Sequence, residues 1–313
     1  MIDLIIKKYS RIKDRRKILK RIKFYAFLRL SLVLFLNLLA PIYFALSRHK
    51  KSNRLLEEKR KQMLIISLTT FPARIKKISF VIECMLRQTE KPDKIILWLS
   101  KDQFPIIDSL PKRLLDLRIR GLEIRLTMDD LKSHKKYFFT LKEFPKDLMI
   151  TIDDDFFYPS NLVEDLNLLH SKFPDSICCE RAHLMSISEG KLLPYTTWKY
   201  LFTGYGPSRE IFQTSGGGTL YPPNSLSKEV MDKDIFMKIC ENADDVWLNI
   251  NSQIKGTSIV KSSNDLSIVP ILNFNNTTLS STNVYQGQND VQIEKVRSYF
   301  FKKNGIDPLI YLS

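Results

Sequence analysis

The sequence predicts a mixed α/β domain with a mostly parallel sheet flanked by helices, preceded by a helical extension that associates with a membrane. Two apolar runs separated by a helical pattern open the globular part, an order typical of parallel strands joined by a crossover helix. A later apolar run at 148–152 leads directly into Asp153, Asp154 and Asp155, the acid triplet. The beginning of the chain is strongly basic and includes a long apolar stretch.

The positive charge of the chain is concentrated at its N-terminus. Residues 1–61 contain 18 of the 49 Lys and Arg but only 4 of the 34 Asp and Glu, so they contribute +14 of the net +15. We therefore divide the chain into a membrane-anchoring extension and linker, 1–61, and an α/β domain, 62–313. Since the domain is nearly neutral, it lacks the basic surplus of a nucleic-acid-binding domain, and no nucleic-acid partner is expected.

The extension combines a basic helix with an apolar one. Residues 4–23 carry ten Lys and Arg, with apolar side chains near one helical face, which suits an anionic membrane surface. Residues 30–46 are 17 uncharged residues, about 26 Å as a helix, at the lower limit for spanning a bilayer. Because Asn37 and Pro41 weaken a span, we favour a peripheral, monotopic or re-entrant anchor.

A single-pass protein with a lumenal domain is the alternative topology. The basic residues on both sides of the apolar stretch give only a weak orientation signal. In the single-pass case, the glycosylation triplets at Asn275 and Asn276 would be available. Residues 48–61 are predicted to form a charged helical linker.

The domain alternates strand and helix patterns. Apolar runs predict strands at 64–68, 94–99, 121–126, 148–152, 177–179 and 257–260. Helical spacing predicts helices at 75–88, 112–117, 134–143, 160–169, 244–255 and 289–303. Residues 185–213 show no clear periodicity and are left unassigned. The four cysteines have no CxxC spacing, which predicts free thiols.

The acid triplet is the first candidate site. Three carboxylates at the end of a buried strand lose hydration and repel one another unless a cation compensates. Oxygen ligands suit Mg²⁺ or Mn²⁺, and open α/β sheets bind ligands at the C-terminal ends of their strands. A divalent metal site is therefore predicted there, and the alternative is a solvated acidic turn.

Two later motifs extend this site. The glycine loop, residues 215–218, contains three consecutive glycines, which either let the backbone lie against a ligand or make a tight turn. The acid pair, Asp244 and Asp245, follows at the start of a predicted helix.

Taken in order, these motifs resemble the GT-A class of nucleotide-sugar glycosyltransferases. The resemblance lies in the acid triplet as a DxD motif, GGGTLY at 216–221, DDVW at 244–247 and ISLTTFPARI at 66–75. It is nearest to family 2-like bacterial glycosyltransferases of capsule and lipopolysaccharide clusters. The triplet and the later FPDS segment also resemble the exostosin-like transferases.

The resemblance implies a metal-dependent hexosyl- or hexosaminyltransferase of surface polysaccharide synthesis, using Mn²⁺ or Mg²⁺. It implies a nucleotide-sugar donor, first of all a UDP-sugar, and a glycan or glycolipid acceptor. With the membrane extension, it favours a lipid-linked acceptor at the cytoplasmic face of the cell membrane, where nucleotide sugars are made.

The resemblance also assigns roles on the donor side. Asp155 is expected to be the direct metal ligand, and Asp153 to contact the ribose or a metal-bound water. Asp154 belongs to the nucleotide-binding group but is expected to point into the structure. Thr69 and Arg74, at the exit of the first strand, are expected to contact the nucleotide.

Two further donor-side residues each have two possible roles. Lys136 either reaches a phosphate or lies on a solvated helix face. Asp130 either contacts the ribose or caps a helix.

On the acceptor side, Asp245 is expected to be the general base, with helix capping as its alternative, and Asp244 is expected to be a cap. Gly217 and Gly218 are expected to line the donor sugar by their backbone.

Tyr221 and Trp247 either stack on a sugar or pack in the core.

Two other functions compete with sugar transfer. A phosphotransferase with an aspartate nucleophile usually has a hydroxyl residue after the second Asp of its motif, whereas Phe156 and Phe157 follow the triplet here. A membrane-tethered, non-catalytic carbohydrate- or cation-binding protein would need no second acid group near the first.

Overall fold

The computed structural model of the protein describes residues 1–12, 24–47, 53–55, 60–263, 268–272, 287–305 and 307–309. The α-helices within these residues are α1 (Ile2–Arg11), α2 (Phe24–Ser47), α3 (Ile78–Met85), α4 (Lys112–Leu115), α5 (Lys135–Glu143), α6 (Leu162–Lys172), α7 (Lys233–Ile239), α8 (Asp244–Lys255) and α9 (Gln288–Asn304). The strands there are β1 (Leu64–Thr69), β2 (Lys94–Ser100), β3 (Leu122–Thr127), β4 (Leu148–Thr151), β5 (Phe156–Phe157), β6 (Ile177–Cys179), β7 (Ala182–Leu184), β8 (Ile187–Ser188), β9 (Lys191–Leu192), β10 (Ile211–Gln213), β11 (Thr219–Tyr221), β12 (Ile259–Lys261) and β13 (Val269–Pro270).

The centre of the fold is a seven-stranded sheet in the order β12-β6-β11-β4-β1-β2-β3. Strand β11 runs antiparallel to both of its neighbours, and the other pairings are parallel. In the middle of the sheet, Ile66 lies beside Ile95 of β2 and Ile150 of β4, all fully buried. This mixed, mostly parallel sheet flanked by helices confirms the predicted fold class.

The sheet has a topological switch point beside β1. From β1 the chain passes through α3 to β2 on one side, and later returns through α5 to β4 on the other side. Where connections diverge in this way, a crevice opens at the C-terminal ends of the two strands. The acid triplet follows β4 at this position.

Helices cover both faces of the sheet. One hydrophobic cluster packs α1, α2, α3 and α6 against one face, and a second packs α5, α7, α8 and α9 against the other. Consecutive residues of β4 divide between the clusters, with Ile150 in the first and Met149 in the second, because side chains alternate along a strand.

The predicted elements form, with shifted ends. All six predicted strands are present, and the last of them is Ile259–Lys261. The helix predicted from residue 75 starts at Ile78, since residues 72–77 form turns, and the helix predicted from 160 starts at Leu162. The unassigned stretch holds the β8–β9 hairpin and β10, strands of two or three residues that are too short to show a period.

The first two helices pack on the domain. Ile2, Ile5 and Ile6 of α1, with Leu36 and Phe44 of α2, belong to the first hydrophobic cluster. The predicted basic helix forms as α1, and residues 13–23 lie outside the described residues. Most of the predicted linker and the triplets at 275 and 276 also lie outside them. The boundary between extension and domain stays a prediction.

Candidate functional site

The candidate site lies where the C-terminal ends of β1, β4 and β6 meet the glycine loop that precedes β11. Because β11 is antiparallel, its start lies at the same edge of the sheet as the ends of its neighbours. The acid triplet comes from β4 and Arg181 follows β6. The N-terminus of α8 brings the acid pair to this edge.

Asp154 is the buried, fully engaged member of the triplet. Its carboxylate accepts a hydrogen bond from the hydroxyl of Thr70 and forms an ion pair with Arg74. Burial raises the pKa of Asp154, and Arg74 opposes this rise. Asp154 therefore fixes the loop after β4 to the exit of β1, as expected of a residue that points into the structure.

Asp155 keeps one oxygen without a partner. Its Oδ2 lies 3.0 Å from Nη1 of Arg74, whereas its Oδ1 is shielded from solvent and has no hydrogen-bond partner among the described residues. Burial, together with the nearby Asp153 carboxylate, raises the pKa of Asp155 to about 7. An unpaired carboxylate oxygen in such a position favours a cation.

Lys136 of α5 joins the two acid groups. Its Nζ lies 2.8 Å from Oδ1 of Asp153 and 2.9 Å from Oδ2 of Asp244. Burial works to lower the pKa of Lys136, but these carboxylates raise it well above its usual value. Since the residue is 3% exposed, the alternative that it lies on a solvated helix face is wrong.

The acid pair occupies the first turn of α8. Asp244 is buried beside Lys136, which outweighs the effect of burial and lowers the pKa of Asp244. The residue before α8 is Ala243, and the helix has no side-chain cap, so the prediction that Asp244 caps the helix is wrong.

Asp245 faces the glycine loop. Its Oδ1 accepts hydrogen bonds from the backbone N–H of Ser215 at 3.0 Å and from its hydroxyl at 2.8 Å. Burial and then the adjacent Asp244 carboxylate raise the pKa of Asp245 to about 7. Asp245 is thus oriented by Ser215 and holds a proton more readily than an ordinary aspartate.

The glycine loop packs against Arg181 at distances that exclude a side chain. A Cβ at Gly217 would lie 2.2 Å from Cβ of Arg181, and one at Gly216 would lie 3.1 Å from Oδ2 of Asp153. Gly218 has φ +91°, a conformation that other residues rarely adopt. The loop is therefore buried in close contact with Arg181, beside the acid triplet.

One buried hydroxyl connects the loop to the triplet. Oη of Tyr158 accepts a hydrogen bond from the backbone N–H of Asp153 at 3.0 Å and lies 3.2 Å from the carbonyl oxygen of Gly216, to which it can donate. The side chain is 1% exposed, so this contact is shielded from water.

The carboxylates fit a cation that is shared with a ligand. In the described ranges no three His, Cys, Asp or Glu side chains are arranged to hold a metal ion by themselves. Mg²⁺ is usually bound through one or two carboxylates and the phosphates of a substrate. The unpaired Oδ1 of Asp155 and the partly exposed carboxylate of Asp153 suit this type of site.

Two predicted nucleotide contacts have other partners. The hydroxyl of Thr69 donates to the carbonyl oxygen of Trp98 at 2.8 Å. Asp130 accepts hydrogen bonds from Gln103 and from the backbone N–H of Lys132, and pairs with Lys135. Asp130 therefore belongs to a separate polar group at the end of β3.

The two aromatic candidates lie in the core. Tyr221 is 1% exposed and Trp247 is fully buried. The indole N–H of Trp247 donates to the carbonyl oxygen of Val230. Stacking of either ring on a sugar is excluded by this burial.

Sequence reasoning missed several residues of the site. Thr70, Tyr158 and Ser215 position its carboxylates, and Arg181 lies over the glycine loop, where its Nη2 donates to the hydroxyl of Tyr200. Arg181 stands two residues after the predicted strand at 177–179, so the rule that ligands bind at the ends of strands gave a signal for it.

Comparison with known proteins gives structural likenesses only. No family model matches the sequence, and no curated protein matches it. Among similar solved structures is the 1–349 fragment of S. aureus TarS in complex with UDP, with 11% identity, a TM-score of 0.45, and coverage of 78% of this chain and 74% of that chain. The same fragment in complex with UDP-GlcNAc has 11% identity and a TM-score of 0.46 over 78% and 75% of the two chains.

A further similar structure is the mannosyltransferase PcManGT from Pyrobaculum calidifontis in complex with GDP-Man and Mn²⁺. It shares 9% identity at a TM-score of 0.48, covering 100% of this chain and 79% of that chain. Likenesses at these scores do not decide the activity of this chain.

Proposed function

We propose that this chain is a GT-A-like glycosyltransferase. It transfers a hexosyl or hexosaminyl group from a nucleotide sugar, in the first place a UDP-sugar, to a glycan or lipid-linked glycan. The reaction uses Mn²⁺ or Mg²⁺ and belongs to surface polysaccharide synthesis.

The observation that carries the proposal is the ion-pair bridge through Lys136. The lysine contacts Asp153 of the acid triplet and Asp244 of the acid pair, so the two groups share one site. A solvated acidic turn needs no such bridge. A site that holds a donor by one acid group and activates an acceptor by another does need the two groups close together.

On the donor side, Asp155 and Asp153 hold the divalent cation. When bound, the cation supplies positive charge to the diphosphate that leaves as the sugar is transferred. Arg74 holds Asp154 and Asp155 in place, while the bare backbone of the glycine loop lies against the donor.

On the acceptor side, Asp245 removes the proton from the acceptor hydroxyl. A general base works best when its pKa is near the working pH, and burial together with Asp244 raises the pKa of Asp245 to about 7. The two hydrogen bonds from Ser215 to Oδ1 fix the orientation of the carboxylate.

The first test is stabilisation of the full chain by nucleotides. We expect UDP with Mn²⁺ or Mg²⁺ to raise the midpoint of thermal unfolding, because a ligand present at a hundred times its Kd adds about 2.7 kcal/mol to the free energy of unfolding. GDP and other nucleoside diphosphates, each with and without the metal, identify the base. Hydrolysis of a panel of nucleotide sugars then identifies the donor.

Matched variants locate the effect. Asp155→Asn should lose the metal-dependent part of the stabilisation, while Asp129→Asn, which changes an exposed aspartate paired with Lys233, should keep it. Stabilisation by a metal without any nucleotide would favour a cation-binding protein. A phosphorylated enzyme intermediate on an aspartate would favour a phosphotransferase, and either result would overturn the proposal.

A further inference from the structure

Helix α2 carries an apolar face that points away from the domain. Seven of its large hydrophobic side chains are exposed, with Leu38 at 71% and Leu46 at 82%. The seven are Phe27, Leu30, Leu34, Phe35, Leu38, Ile42 and Leu46. Their spacing of mostly three or four residues places them along one side of the helix, and with Met1 and Leu4 of α1 they are defined here as the outer face.

The opposite side of α2 is fastened to the domain along its length. Val33, Leu36, Ala40 and Phe44 are buried in the first hydrophobic cluster. Asn37 donates from Nδ2 to the carbonyl oxygen of Pro270 at 3.0 Å and accepts a hydrogen bond from the backbone N–H of Leu272 at 2.9 Å. These contacts satisfy the polar side chain that weakened the case for a membrane span.

Two further contacts hold the ends of the extension. The hydroxyl of Ser47, at the end of α2, accepts a hydrogen bond from Nη2 of Arg87 at 2.8 Å. At the start of α1, the carboxylate of Asp3 accepts one from the backbone N–H of Ser160 at 2.8 Å. Both helices are therefore docked elements of the folded chain, and their outward side remains for another partner.

The charges beside the outer face indicate the chemistry of that partner. Lys7, Lys8 and Arg11 are exposed on α1, and the first 61 residues carry 18 Lys and Arg. The one charged residue of α2, Arg29, is directed to the hydroxyl of Tyr9 on α1. An apolar strip flanked by basic side chains matches a membrane surface with anionic headgroups.

We propose that the outer face of α1 and α2 lies in the plane of an anionic lipid bilayer, so that the protein is monotopic. One helix in the described part of the chain, Ala26–Ser47, is long and apolar enough to cross a membrane. Crossing would strip its buried side from the domain and expose Asn37 to lipid. Lying in the plane keeps both the protein contacts and the lipid contacts.

The docked helix also supports the candidate site. Between the two residues that Asn37 contacts lies Ile271, whose backbone N–H donates to the carbonyl oxygen of Asp155 at 2.8 Å. The membrane-facing helix and the acid triplet are thus joined by two hydrogen-bonded steps. This connection suits an acceptor carried by a membrane lipid. That last point rests on the proposed function, whereas bilayer docking does not.

Vesicle sedimentation of the full chain tests the docking. We expect binding to vesicles of phosphatidylcholine mixed with phosphatidylglycerol and weaker binding to phosphatidylcholine alone. The double variant Leu34→Asp/Leu38→Asp should bind at least about tenfold more weakly. Ile119→Asp/Met128→Asp, which changes two apolar residues of the domain that are more exposed than Leu34 and Leu38, is the control and should bind as the unmodified chain does.

A variant that lacks basic side chains separates the electrostatic contribution to vesicle binding from the apolar one. Replacing Lys7, Lys8 and Arg11 by alanine should weaken binding to the anionic vesicles by about tenfold to a hundredfold. Binding to phosphatidylcholine should stay unchanged. Unchanged vesicle binding by the Leu34→Asp/Leu38→Asp variant would overturn the proposal. So would conversion of an oligomer to a monomer by that variant without loss of vesicle binding, since a second copy would then cover the outer face.

Orientation needs a separate measurement. A peptide tag placed before Met1 should be cleaved by a protease added outside vesicles that have bound the protein, as should a tag after Ser313. Protection of the N-terminal tag alone would show that α2 spans the bilayer. Failure of nucleotide stabilisation would leave both vesicle results intact, so the two proposals fail separately.

Discussion

The acid triplet and the acid pair are built on the same plan from different elements. Each holds one carboxylate that a basic side chain compensates, Asp154 in the loop after β4 and Asp244 at the start of α8. Each also holds a neighbour whose pKa is raised to about 7, Asp155 and Asp245 respectively. Lys136 lies between the two groups.

The difference within each group teaches that adjacent aspartates are not equivalent. Consecutive side chains leave a turn, or the first turn of a helix, in different directions. One aspartate of each group therefore points toward a basic side chain of the protein, and the next points toward the crevice. The compensated carboxylate positions the segment. Its neighbour is a carboxylate whose negative charge is unfavourable where it lies, and a bound metal ion or a proton would neutralise that charge.

The largest expected effect is on catalysis by Asp245. Asp245→Asn should lower kcat by about a hundredfold to ten-thousandfold, because the acceptor hydroxyl loses its base. Steady-state kinetics with the donor identified by screening measures this, and Asp129→Asn is the control. A decrease of similar size in Asp244→Asn, with Asp245→Asn nearly unaffected, would show that the roles within the acid pair are reversed.

The next effect concerns the stability that Asp154 provides. Asp154→Ala should lower the free energy of unfolding by about 3 kcal/mol, since it removes a buried carboxylate and leaves the partly buried Arg74 with one carboxylate partner fewer. Denaturant unfolding measures the change. Asp129→Ala, which removes a surface ion pair with Lys233, should cost no more than about 1 kcal/mol. Equal losses in the two variants would contradict the structural role of Asp154.

These two groups also mark what the sequence predicts and what it leaves open. The apolar run before residue 153 and the acidic start of α8 are local signals, so both carboxylate groups and their elements were found from the sequence. Their partners lie far away along the chain. Thr70 and Asp154, for example, are 84 residues apart. No local pattern reports which hydroxyl or ammonium reaches which carboxylate.

The burial of Lys136 also could not be predicted from the local sequence. The sequence HKKY is typical of an exposed helix face, yet α5 packs between the sheet and α7, and Lys136 is buried. Helical periodicity identifies the helix but not the side on which a buried ion pair forms. The aromatic residues Tyr221 and Trp247 illustrate the common outcome, because packing in the core takes most large aromatic side chains.

A smaller effect is the pH dependence of stability that Asp245, the carboxylate with the raised pKa in the acid pair, should produce. The pKa of Asp245, raised to about 7 in the folded protein, lies above its value in the unfolded chain. The stability that this group contributes is therefore present below about pH 4 and is lost as the pH rises through 7. Asp245→Asn cannot ionise, so it should be more stable than the unmodified protein at pH 8.

The same variant should show little such advantage below about pH 3, where the aspartate is mostly protonated in both the folded and the unfolded states. Thermal unfolding across this pH range measures the difference. A variant that is inactive but more stable at pH 8 fits a residue kept for catalysis. A stability difference independent of pH would mean that the pKa of Asp245 is not raised in the folded protein.

The smallest expected effect is the loss of stability on removing the hydroxyl of Tyr158, which lies between the triplet and the glycine loop. Tyr158→Phe should lower the free energy of unfolding by about 1 kcal/mol, because the backbone N–H of Asp153 loses its buried acceptor. Tyr205→Phe, at a partly exposed tyrosine, is the matched control. If the two variants lose the same stability and bind the nucleotide equally well, Tyr158 does not couple the triplet to the loop.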